Sequence, residues 1–186
     1  MHKTESSMEE KFKQLAELGA GDFSHLDGSL IDHLTGTRSL LKKWSASAVL
    51  QDAGLYHAAY GTAGFTQSLV SSNQRTKIAS IIGMEAEEVV YLYCACDRDS
   101  FWSQFAVSDN PEYKDRFTGK VSTLTQHQLE QFCELTVANE LEITSRNTAF
   151  ISEHGKELYG LFNNMQQFIS SHAKASVKSV LGDIDA

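Results

Sequence analysis

Two histidines, His33 and His57, stand 24 residues apart (57 − 33) in stretches whose apolar residues recur at helical spacing. At about 100° per residue, His33 shares a direction with Leu40 and Trp44, and His57 with Leu50, Ala53 and Tyr60. Both rings therefore face inward. Imidazole titrates near neutrality, so such a pair could exchange protons as general acid and base. Two rings from successive buried helices can also converge in a bundle core, where ligand and metal sites are built. The competing reading is that each is a core histidine bonded to a carbonyl. Beside His57, the hydroxyls of Tyr56, Tyr60 and Thr62 gather at one helix end, and Gly61 and Gly64 would let the backbone approach a ligand closely. Otherwise Gly61 only ends the helix, and the tyrosines are core residues with wet tips. A third cluster is Asp97-Arg98-Asp99, where the Arg98 fork suits a carboxylate or phosphate. Its plain alternative is a solvated helix end or a structural ion pair. The residues expected to act on a substrate are thus His33, His57, Tyr60, Asp97 and Arg98.

Other chemistries lack their residues. The chain has no G-x-G-x-x-G, no phosphate-binding Walker loop, no G-x-S-x-G elbow and no H-E-x-x-H. Cys94, Cys96 and Cys133 form an odd set, and Cys94-Ala95-Cys96 is not the C-x-x-C of a zinc knuckle or redox pair. They fall in or near apolar runs, as buried inert thiols do. Asp and Glu (24) outnumber Lys and Arg (16) in 186 residues, giving a formal charge of −8. Phosphate attraction needs a basic face, so neither nucleic acid nor an anionic membrane is an expected partner. No apolar stretch nears the roughly 18 residues of a membrane span, and the N-terminus has no apolar signal region. A cytoplasmic protein with a small-molecule substrate is expected. The amphipathic first helix and the long last one offer a face for a homodimer.

The elements that must position these residues read as helices. Pro111 is the single proline, and turns are left to Gly, Asn and Asp, as in a mainly helical chain. The spacing predicts helices over 8–19 (Phe12, Leu15, Leu18), 29–44, 46–59 (capped by Ser45 or Ser47), 74–82 (capped by Asn73) and 85–97. A small hairpin is expected around 117–121. Thr125 with Gln128 makes a capping box for a helix over 126–142, and one long helix is predicted over 153–180. No repeat or linker divides the chain, so residues 1–186 read as one all-α domain.

The stretch Leu30-Ile31-Asp32-His33-Leu34, followed by Asp52-Ala53-Gly54-Leu55-Tyr56-His57-Ala58-Ala59-Tyr60-Gly61-Thr62, resembles the start of an HD-domain metalloprotein. Val137-Ala138-Asn139-Glu140-Leu141-Glu142 is similar to the last motif of that superfamily. The segments around His25, Tyr56–Thr62 and Cys94–Arg98 also look like an uncharacterised HD-like family. The likeness spans about 25–142 and implies an HD-like helical bundle, with the helices at 8–19 and 153–180 packed on it. It further implies a divalent metal (Fe, Mn or Zn), held by His25, His33, His57 and Asn139; the residues themselves also offer Asp27 or Glu85 as a carboxylate beside the three histidines. The implied activity is a metal-dependent hydrolase with a mononuclear site; alternatives are an Fe-dependent oxygenase and a non-catalytic ligand-binding or interaction module. Two departures matter. Ala58 stands where the superfamily has the Asp after its second His, and Asn139 where it has the last Asp, so two anionic ligands are gone. A normal dinuclear centre is not expected of this chain.

Overall fold

The computed structural model describes residues 2–21, 24–25 and 28–183, with the side chains of 2–7, 24, 25 and 28 outside that description. The described chain is all-α, as expected. Helices α1 (His2–Glu17), α2 (Leu30–Lys43), α3 (Ala48–Tyr56), α4 (Arg75–Ile82), α5 (Met84–Ala95), α6 (Arg98–Trp102), α7 (Gln126–Arg146), α8 (Thr148–Asn164) and α9 (Ser171–Leu181) carry most of it. Two short antiparallel pairs accompany them: β1 (Ser24–His25) with β2 (Gly28–Ser29), and β3 (Glu112–Lys114) with β4 (Val121–Thr123). A hairpin does form at the expected place, but wider than 117–121: its strands pair across residues 115–120, and only Val121 of that segment is in a strand. Among the described residues no helix is long and apolar enough to cross a membrane.

The helices begin where side chains can satisfy the free backbone N–H groups of a first turn. Ser29 accepts from Asp32 N at 3.3 Å to open α2, and Ser47 from Leu50 N at 3.1 Å to open α3. The capping box of α7 forms in full, Thr125 with Gln128. Asn73 does not cap α4; Gln74 stands there and makes no side-chain capping bond. The predicted 153–180 helix is two helices. Asn147 caps α8 earlier, accepting from Phe150 N at 2.9 Å, and Ser170 opens α9 by accepting from Ala173 N at 3.1 Å. Ser170 in turn donates from its hydroxyl and its N–H to the buried Glu134 carboxylate, at 2.6 and 2.8 Å. A long-range carboxylate fixes that break, which local periodicity cannot express.

Helix α7 runs through the middle: its residues 131–142 are buried, and α2, α3, α5, α8 and α9 all pack on it. The core includes Leu34, Leu41, Leu55, Tyr56, Val90, Tyr93, Phe101, Phe132 and Leu135. The stripe on α1 is used within the chain, with Leu15 fully buried and Phe12 and Leu18 packed against the core. Tyr56 sits in that core with its hydroxyl donating to Lys11 O at 2.6 Å. At Gly54 of α3 the space for a Cβ is filled by Leu41 of α2, which lets the two helices close up.

Candidate functional site

Three helices bring the site together. α2 delivers His33, the C-terminal end of α3 delivers His57 and Ala58, and α7 delivers Asn139, Glu140 and Ile143. The first residue of α6 adds Arg98. These line one cavity of about 370 Å³ with Leu30, Thr62, Gly64, Phe65 and Phe150. The His33 and His57 ring centroids are 5.1 Å apart, edge to face at 81°. The imidazoles meet as their spacing predicts.

Each ring is oriented from behind. His57 Nδ1 donates to Gly54 O at 2.7 Å, which makes Nε2 the ring nitrogen with the lone pair. His33 Nδ1 is hydrogen-bonded to Glu142 Oε2, and its Nε2 lies 3.0 Å from Asn139 Oδ1. The amide is turned this way because Asn139 Nδ2 donates to Glu140 Oε1 at 2.8 Å. Both His33 nitrogens thus face oxygen acceptors; the doubly protonated ring donates to both, the neutral ring to one. Glu142 is nearly fully buried and also pairs with Arg146 one turn on. Gly36 on α2 makes room for it, since a Cβ there would overlap the Glu142 carboxylate and its Cγ.

The loop after α3 forms another wall. Gly61 takes a positive φ of +71°, and a Cβ on it would meet the carbonyl oxygens of Phe65, Thr66 and Gln67 at 3.0 to 3.2 Å. Glycine is therefore required where the chain doubles back. Thr62 N then donates to Phe65 O at 2.7 Å, which sets Thr62, Gly64 and Phe65 on the cavity.

Arg98 supplies the cation. It is 9% exposed, with its guanidinium carbon 4.8 Å from the Tyr93 ring centre and 5.3 Å from that of Trp102. Its nearest carboxylate is Glu140, at 3.6 Å from Nη1, longer than a hydrogen bond. Among the described residues, the buried Arg98 Nε has no acceptor. Burial opposes the charge, but Tyr93 and Glu140 more than offset it and hold the group protonated, above its ordinary value.

Two residues expected at the site are elsewhere. The Tyr60 hydroxyl donates to Glu87 Oε1 at 2.7 Å, and Arg75 forks onto the same carboxylate at 2.7 Å through both nitrogens. Burial and then Glu87 raise the Tyr60 phenol well above its ordinary value, so it stays a neutral donor. Asp97 caps α6 and pairs with Lys114 at 2.9 Å, a partly solvated helix-end pair. Glu85 and Glu87 do not line the cavity either. The side chains of His25 and Asp27 lie outside the described residues. Two acids go the other way. Glu140 joins the wall although its direction on α7 is about 100° from Asn139, because Arg98 and the Asn139 amide draw it there. Glu142 was not anticipated; the spacing Asn139-x-x-Glu142, which puts both on one face of a helix, was the available signal.

The cysteines are buried and free, with burial pushing the Cys94 and Cys96 thiols up to about 12. Cys94 Sγ donates to His57 O at 3.0 Å, so it braces the loop rather than acting as a nucleophile.

The donor set is a poor fit to the metal centre of HD proteins. His33, His57, Ala58 and Asn139 occupy one cavity, but Ala58 offers no donor and Asn139 only a neutral amide oxygen, already bonded to His33. Hard divalent ions take carboxylate oxygen, and Arg98 puts a fixed cation on the same wall. Among the described residues no group of three or more His, Cys, Asp or Glu side chains is arranged to hold an ion.

Residues 14–98 match a family described as a domain of unknown function (DUF6817). That span holds His33, His57 and Arg98 and stops short of α7. No curated protein matches the chain.

Proposed function

We propose that this chain is an HD-like helical enzyme that binds a small anion and moves protons on it with its histidine pair. The observation that carries the reading is the meeting of two anchored imidazoles, 5.1 Å apart, with a buried guanidinium whose Nε has no acceptor on the same cavity. An oxyanion on Arg98 would satisfy that donor; a buried unpartnered donor otherwise costs about 1–3 kcal/mol. His57 Nε2, with its tautomer set by Gly54, is placed to take a proton from water or a substrate hydroxyl. His33 Nε2 would return one by exchanging its 3.0 Å contact with the neutral Asn139 amide oxygen for the substrate, while Nδ1 stays held by Glu142. Hydrolysis is the reaction class that the HD resemblance implies. Glu142 and Asn139 act through His33 by fixing its ring plane.

The test uses the full chain. Melting temperature is followed with millimolar phosphate, and with Fe²⁺, Mn²⁺ or Zn²⁺ in separate samples of untagged protein; turnover of 4-nitrophenyl phosphate and 4-nitrophenyl acetate is measured alongside. Stabilisation by phosphate that Arg98→Met abolishes, with turnover that His57→Gln abolishes, is the expected result. Phosphate without effect would overturn the anion site. Stabilisation by a metal instead, lost in His33→Ala and His57→Ala, would restore the mononuclear metal hydrolase, and oxygen consumption with Fe²⁺ the oxygenase. Binding without turnover of any ester would leave a ligand-binding module.

A further inference from the structure

Arg98 also lines a second cavity, of about 840 Å³ against about 370 Å³ for the first. The two share Gly64, Arg98, Glu140 and Phe150, so they adjoin as two halves of a cleft that meet at the Arg98 side chain. The larger half lies between α6 and α8, and its wall includes Ala63, Trp102, Ala106, Phe150, Leu158 and Leu161. Trp102 Nε1 is buried there with no acceptor, like Arg98 Nε and the Tyr93 hydroxyl. Two of these unpartnered donors, Arg98 Nε and Trp102 Nε1, thus belong to side chains that line the cleft side by side. Buried donors are nearly always paired, and an oxygen-rich group where the halves meet would serve Arg98 and Trp102 together.

We infer that the cleft takes an amphiphilic anion, with a carboxylate or phosphate head between Arg98 and the Trp102 indole and an apolar body in the α6–α8 half. This rests on the anion reading above and adds what the anion is attached to. The surrounding charge argues for a head of low charge. Glu140 lies 3.6 Å from the guanidinium, and Asp99 and Glu157 stand with Lys156 on the larger wall, so a polyphosphate would meet carboxylates that a monoanion avoids. The size ratio argues for the body, because a free inorganic ion would leave the apolar half unused.

Isothermal titration of the full chain with straight-chain carboxylates and alkyl phosphates of two to ten carbons, below their micelle concentrations, tests the assignment. Kd is expected to fall about four-fold per added methylene until the cleft is filled. Arg98→Met should weaken every member at least ten-fold. Trp102→Phe, which keeps the ring and so the fold, should weaken every member several-fold. Gly160 lines the larger half, and a Cβ on it meets nothing within 4 Å. Gly160→Trp should therefore flatten the chain-length dependence while leaving the shortest ligand within about two-fold. An affinity independent of chain length, with Arg98 still required, overturns this inference and leaves the anion site standing. Failure of every ligand to bind overturns both. Phosphatidate vesicles compared with monomeric alkyl phosphates separate a lipid headgroup from a free amphiphile as the source.

Discussion

Two of the arginine–glutamate clusters among the described residues, each built on a buried carboxylate, differ in whether anything is left over. In the first, Glu87 receives two bonds from Arg75 and one from Tyr60, all at 2.7 Å, while the Arg75 guanidinium lies 3.9 Å over the Tyr91 ring. The carboxylate is saturated by close, directed donors. In the second, Arg98 and Glu140 stand 3.6 Å apart, Arg98 Nε has no acceptor, and a cavity opens beside them. A closed network fixes helix positions; an open one leaves donor capacity unused beside a cavity. Residue type does not separate them, since each sets an arginine of one helix against a glutamate of the next, α4 with α5 and α6 with α7. Satisfaction does.

Variants that close or open each cluster sharpen the contrast. Glu87→Ala should have the largest effect, because it strands Tyr60 and Arg75 together. A loss of about 3 kcal/mol in urea unfolding is expected, with phosphate binding by the remaining folded protein unchanged. Loss of binding at constant stability would reverse the assignment of roles. Gly36→Ala comes next. The helix-propensity gain of up to about 1 kcal/mol is opposed by overlap with the Glu142 carboxylate, and a net loss of about 1–2 kcal/mol is expected. The His33 ring resonances in NMR should shift with it; a stabilised variant with unchanged resonances would show that Glu142 does not hold the ring.

The pair Arg98→Met with Glu140→Gln removes both charges of the open cluster at once. Stability is expected to stay within about 1 kcal/mol of the parent, because an imperfectly paired buried ion pair contributes little. Phosphate affinity should fall at least ten-fold. A large loss of stability would mean that this cluster is structural too. Asp97→Asn should be smallest. Its carboxyl sits below its ordinary value of 3.8, first through the Lys114 hydrogen bond and despite some burial. A lowered folded value gives stability that is present above the ordinary value and lost as pH falls through the folded one. The slight deficit of the variant at pH 6 should therefore shrink as pH drops below 3.8 and vanish once the Asp97 carboxyl of the parent is protonated in the folded state.

The sequence exposed the frame of the site and missed its supports. His33 and His57 were legible because each lies on a helix whose apolar stripe sets a direction, and angular position survives small errors in helix ends. Arg98 was legible from its guanidinium chemistry alone. Tyr60 was misplaced because the same angular argument could not see that Glu87, 27 residues on, would claim its hydroxyl. Asp97 was misplaced because Lys114, on a strand 17 residues away, holds it at the surface. The break near residues 165–170 escaped for the same reason: Glu134 fixes Ser170 from another helix.

What the sequence determined by itself is local and periodic: an all-α chain, an inward face for His33 and for His57, the capping box of α7, an alanine at 58 and an amide at 139. These depend on neighbours within a few residues, and backbone geometry alone converts them into direction. Only the tertiary structure decided which polar groups would be consumed by one another and which would be left facing a void. Pairing between side chains 27, 36 or 109 residues apart depends on how helices pack, and packing is a property of the whole core rather than of any stretch of it.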